Sequence, residues 1–92
     1  MHKLQSANLI EGVYSPQEAR EILMDLLEHE INFYKIQNLS SEVRHGGPDT
    51  HAQKKIQELL SEKVRILELI RNAADTGKQV NVLSSIHIRM EN

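Results

Sequence analysis

The sequence contains no cysteine and no tryptophan. Without cysteine there is no disulfide framework, no thiolate zinc site, no iron–sulfur cluster and no cysteine nucleophile. The aromatics are reduced to Tyr14, Phe33 and Tyr34. Stacking platforms for single-stranded nucleic acid are therefore missing. Any core must be built from Leu, Ile, Val, Met and Ala, a palette suited to helix packing. No apolar run approaches the roughly 20 residues needed to cross a bilayer. The opening Met1-His2-Lys3-Leu4-Gln5-Ser6 also lacks the apolar centre of a signal peptide. A cytoplasmic protein with no membrane partner is the expectation. The formal net charge of −2 supplies no general attraction for nucleic acid, where neutralisation of phosphates by Lys and Arg carries most of the affinity.

The chain has 92 residues, which predicts a single domain over 1–92. A domain of this size buries only about two-thirds of its unfolded surface, and self-association is a common source of further stability.

Glycine and proline are sparse, four and two respectively, and they punctuate the chain. In Ser15-Pro16-Gln17-Glu18, Ser15 is placed to cap a helix start, Glu18 to reach back to its amide, and Pro16 to occupy the first helical position. Ala19, Ile22, Leu23, Leu26, Leu27, Phe33 and Tyr34 then recur at spacings of three and four, predicting a helix over about 16–44. His45-Gly46-Gly47-Pro48 ends it. Asp49 or Thr50 caps a second helix over about 50–75. Its apolar face is Ala52, Ile56, Leu59, Leu60, Val64, Leu67, Ile70 and Ala74, and Gly77 is its natural stop. So short a connection forces the helices antiparallel and adjacent.

Past Gly77 the period becomes two. Val80, Val82, Ile86, Ile88 and Met90 share a face with Ser84, predicting a strand over about 79–90 with Leu83 as its exception. Leu9, Ile10, Val13 and Tyr14, with the breaker Gly12, fit a bent or bulged strand over about 4–14. The fold class is thus α+β, mainly α: a long antiparallel helical hairpin flanked by N- and C-terminal strands that pair as a small antiparallel sheet, β-α-α-β. Such a unit leaves apolar faces and free sheet edges uncovered. A symmetric homodimer is expected, through the sheet edge or a helix face.

Glu30 and Lys63 interrupt the two apolar stripes at similar height, and an ion pair between them across the seam would set register. The functional alternative for Glu30, a general acid or base among apolar neighbours, lacks a second catalytic group. Lys54, Lys55, Lys63, Arg65 and Arg71 suggest a basic edge on the second helix, but acidic residues are interleaved and a solvated face is the simpler reading. His45, Asp49 and His51 surround the turn and form the one candidate metal cluster, though their spacing matches no established ligand pattern. His29 and His87 have no evident partner. Ser84-Ser85 lacks the context of a nucleophile elbow, and Gly46-Gly47 lacks the lysine of a phosphate loop. Asn32-Phe33-Tyr34 could line a ligand pocket between helices, but core packing explains the same residues more simply. No cofactor and no enzymatic activity are expected.

The stretch Asn8-Leu9-Ile10-Glu11-Gly12-Val13-Tyr14-Ser15-Pro16-Gln17-Glu18-Ala19-Arg20-Glu21-Ile22-Leu23, followed by Ile31-Asn32-Phe33, resembles a group of small uncharacterised bacterial proteins. The similarity extends through the hairpin to the strand-like tail and implies a bacterial cytoplasmic protein. It carries over no activity and no site residue. The expected function is a non-enzymatic, homodimeric protein-interaction module. The competing expectations are a nucleic-acid-associated regulator using the basic edge, and a small-ligand or metal-binding protein.

Overall fold

The computed structural model describes residues 5–91; Leu4, where the first strand is expected to begin, lies outside them. The order is β1 (Gln5–Tyr14), α1 (Pro16–His45), α2 (Thr50–Asp75) and β2 (Val80–Ile88). The two strands form an antiparallel ribbon, so the β-α-α-β hairpin architecture holds. The second strand stops two residues short of the expected end, with Met90 exposed beyond it.

Each turn of chain follows from its local chemistry. The Glu18 amide donates to the Ser15 hydroxyl oxygen at 3.1 Å, and the Ser15 amide donates to Glu18 Oε1 at 3.0 Å. This completes a capping box with Pro16 at the first helical position. The Ser15 amide, and then its hydroxyl, holds the Glu18 carboxyl below its usual value. At the far end Gly46 takes a left-handed φ of 71°, which a side chain would strain, and its amide donates to the Glu42 carbonyl. Asp49, rather than Thr50, caps α2: its carboxylate accepts from the Ala52 amide at 3.0 Å. Gly77 closes α2 in a Schellman motif, with the Lys78 amide bonded to the Ala73 carbonyl at 2.8 Å and the Gly77 amide to Ala74 at 3.3 Å.

The ribbon runs from Tyr14 opposite Val80, beside the helices, to Gln5 opposite Ile88. The register slips by one residue between Asn8 and Ile10, a bulge at Leu9 rather than at Gly12. Because side chains alternate, the extra residue brings Ala7 and Gln5 opposite Ile86 and Ile88 on the face that carries Ile10, Gly12 and Tyr14. Gly12 has a different use: a Cβ there would stand 3.2 Å from the Tyr14 ring, which folds back over it.

One cluster joins the elements. Ala19 of α1, Ile70 of α2 and Val82 of β2 are buried together, with Ile10, Tyr14, Leu23, Ile66 and Val80 packed around them. Leu27, Ile31 and Ala52 continue the burial along the helical seam. Among the described residues no large side chain is completely buried.

The molecule measures 50 × 35 × 15 Å, with a radius of gyration of 16.6 Å. A compact chain of this length has a radius near 12 Å, and 15 Å is little more than one helix with its side chains. The accessible surface is 7404 Å², against about 5,500 Å² for a compact monomer of this mass. Hairpin and ribbon form a single layer, whereas a domain core ordinarily lies between two.

The capping box makes a direct prediction. Ser15→Ala lowers unfolding free energy by about 1 kcal/mol in denaturant titrations. Glu18→Ala exposes the pH dependence: a carboxyl held low in the folded state stabilises above its unfolded pKa and loses that contribution as pH falls through its folded value. The wild-type advantage over Glu18→Ala is therefore complete at neutral pH and fades on acidification below the ordinary carboxylate range. An advantage independent of pH would contradict this.

Candidate functional site

The longest uncovered apolar surface lies on α1, because that helix carries two stripes. Residues advance about 100° each along a helix, so neighbours such as Ile22 and Leu23, Leu26 and Leu27, or Phe33 and Tyr34 diverge to different faces. One stripe, Ala19, Leu23, Leu27, Ile31 and Tyr34, is buried or half-buried, and the polar Asn38 and Ser41 continue its spacing to the turn. The other follows Ile22, Leu26, His29, Phe33, Ile36, Ser40 and Val43 in alternating steps of four and three, with Leu39 beside it. This is the spacing of a helix-pairing seam, on the side of α1 away from α2. Phe33 is 55 % exposed, Ile36 67 %, Leu39 60 % and Val43 78 %, while Ile22 and Leu26 are half-buried. The expectation that Phe33 packs in the core is corrected: its edge meets Tyr34, with ring centroids 5.2 Å apart, but it faces solvent.

Two smaller apolar areas accompany it. On α2, Leu60 and Val64 are exposed beside half-buried Ile56 and Leu67, and Ile66, which the sequence pattern did not single out, takes the inward place. At the far end of the ribbon Leu9, Ile86 and Ile88 are exposed.

The polar residues that close the hairpin are Asn38 and Ser41. Asn38 Oδ1 accepts from the Asp49 amide at 2.9 Å, and the Ser41 hydroxyl donates to the Gly47 carbonyl at 3.0 Å. Both stand where the seam would otherwise present apolar side chains to a turn full of free backbone groups. Their signal in the sequence was polarity at seam spacing.

Lys63 pairs with Glu28, Nζ to Oε1 at 3.8 Å, rather than with Glu30. Two residues turn a helix through about 200°, which puts Glu28 and Glu30 on opposite flanks of the hairpin. Lys63 lies on the flank shared with Met24, Asp25 and Glu28. Glu30, exposed, borders the opposite cleft with Tyr34, Leu59 and Glu62. It has no apolar enclosure of the kind a general acid needs.

His45, Asp49 and His51 do not converge. His45 ends α1 and is exposed. The Asp49 carboxylate caps α2, and His51 turns its ring edge-on toward Tyr34, centroids 6.3 Å apart. Among the described residues no three His, Asp or Glu side chains are grouped to hold a metal ion. His87 does have a neighbour, the Ser85 hydroxyl at 3.3 Å; His29 lies exposed on the outer stripe. Three cations of α2 are engaged locally, Lys55 with Glu58 at 3.7 Å, Arg65 with Glu62 at 2.6 Å and Arg71 with Asp75 at 3.9 Å, while Lys54 is exposed. Their positions also wind around α2 instead of forming one edge. Among the described residues no helix is long and apolar enough to cross a membrane.

No family model, curated protein or solved structure matches the chain.

Two substitutions test this geometry. Asn38→Ala costs about 1 kcal/mol, a typical value for one lost hydrogen bond, and selectively speeds hydrogen exchange at the Asp49 amide; unchanged exchange there would refute the link. Lys63→Met changes stability by less than about 1 kcal/mol in either direction, since a partly exposed ion pair contributes little and the apolar stem still fills the seam.

Proposed function

We propose that the protein is a non-enzymatic interaction module that works as a homodimer and presents an apolar surface left open by that dimer to another protein. The observation that carries this reading is the single-layer shape. The chain exposes about 1,900 Å² more than a compact monomer would, and a standard interface takes about 800 Å² from each partner. A second copy supplies the missing layer and leaves enough apolar surface, along Leu60 and Val64 or at the ribbon edges, for a further protein. The edges of a two-stranded ribbon are open to strand addition.

The competing functions draw less support. A nucleic-acid regulator needs a field of unneutralised cations, and Lys55, Lys63, Arg65 and Arg71 each stand beside a carboxylate. A metal site at the turn would have to compete with α2 for the Asp49 carboxylate, which already caps it.

Light scattering on the untagged protein from micromolar to millimolar concentration tests the reading. The expected result is a mass near twice the 10.6 kDa of one chain, with an absorbance spectrum free of nucleic acid. A mass of one chain across that range would overturn the homodimer.

A further inference from the structure

We infer that the outer face of α1 is the self-interface, and that it meets the same face of a second copy with the two helices antiparallel about a two-fold axis near Phe33. This rests on the homodimer proposed above and names its surface and geometry.

Length and spacing select the face. From Ile22 to Val43 the outer stripe runs about 32 Å along the helix, long enough for three heptads of helix pairing. On α2 the exposed apolar residues are split between Leu60 and Val64 on one side and Leu69 on another, and on the ribbon Leu9, Val13, Leu83, Ile86 and Ile88 are interspersed with Gln5, Ser6, Asn8 and Ser85. The stripe is also centred on its own midpoint: Ile22 and Val43 stand eleven and ten residues from Phe33. An isologous contact needs this, because each residue must find its counterpart across the axis. An antiparallel pair sets the Ile22–Leu26 end of one copy against the Leu39–Val43 end of the other. Phe33 packs about the axis, and Ile36 of each copy meets His29 of the other.

Charge selects the direction. Before Phe33, α1 carries Glu18, Glu21, Asp25, Glu28 and Glu30 against Arg20 alone; after it come Lys35 and Arg44 against Glu42. Parallel copies would align the acidic halves with each other. Antiparallel copies place each acidic half beside the half bearing Lys35 and Arg44, and oppose the helix dipoles. The extended shape leaves room for such a contact: the whole chain's surplus of about 1,900 Å² over a compact monomer exceeds the roughly 800 Å² per partner of a standard interface.

Sedimentation equilibrium of the full chain and three lysine variants, with oxidative cross-linking of two cysteine variants, tests the inference. Ile36→Lys and Val43→Lys alter side chains that are already mostly exposed, so the hairpin retains its circular dichroism; Ile36→Lys weakens the dimer by about thirtyfold or more, as loss of a central anchor does, and Val43→Lys, at the end of the stripe, by about fivefold. Leu69→Lys, exposed but off the stripe, leaves the dimer constant unchanged. For direction, Asn32→Cys beside the axis cross-links to itself on mild oxidation, whereas Val43→Cys, at the end of the stripe, does not. A wild-type chain that stays monomeric sinks the homodimer reading itself. A dimer indifferent to both lysines keeps that reading and sinks this surface. Cross-linking through position 43 but not 32 overturns the antiparallel geometry. If a lysine variant unfolds, the two cysteine variants decide alone.

Discussion

The three-way contact of Ala19, Ile70 and Val82 holds this structure together, because it is the point where α1, α2 and the ribbon meet. Ala19 is wholly buried there, and its small side chain lets the helix come close to both neighbours. The ribbon depends on that anchor, since a two-stranded sheet alone is marginal in water. From this point the helices run away on one side and the strands on the other. Among the described residues nothing folds back over them, which is why the molecule is extended and thin. Its remaining buried residues, Leu27, Ile31 and Ala52, lie along the helical seam.

A seam one layer thick can satisfy only one side of each helix. On α2 this is a modest imbalance, since its apolar residues form one broad arc whose rim is left open. On α1 it is a division: the inward stripe meets α2 and the ribbon, while the outer stripe is left open from Phe33 through Ile36 to Val43. Charged residues flank that stripe without covering it. The polar residues at seam positions, Asn38, Ser41 and Lys63, serve the hairpin itself by tying the turn and filling the seam. They set the helices in register, and so fix which residues of α1 are left facing out.

Much of the architecture could be read from local chemistry. The Ser15–Glu18 box, the Gly46 and Gly77 stops and the period-two tail each specify one conformation almost independently of the rest, so the element order followed. Features that depend on rotation about a helix were harder. Phe33 and Tyr34 are adjacent in sequence but lie on different faces, and a count of apolar spacings merges their two stripes into one. Ile36, Leu39 and Val43 are hard to assign to a face for this reason, though their spacing from Phe33 is a usable signal. The same rotation separates Glu28 from Glu30 and gives Lys63 the former. The bulge falls at Leu9 because pairing register is settled across strands, and Gly12, the obvious breaker, instead lies close under the Tyr14 ring. The turn histidines looked like a cluster only while the capping role of Asp49 was undecided.

The central claim is that the outer face of α1 is covered by a second copy. The most direct measurement is an isotope-filtered NOE experiment on dimers mixed from labelled and unlabelled chains, which reports only contacts between copies. An antiparallel dimer through this face gives intermolecular cross-peaks linking the methyl groups of Ile22 and Leu26 to those of Leu39 and Val43, with Phe33 ring protons near Ile36. Cross-peaks confined to Leu60 and Val64, or to Ile86 and Ile88, would contradict it, as would their complete absence at concentrations where the chain is dimeric.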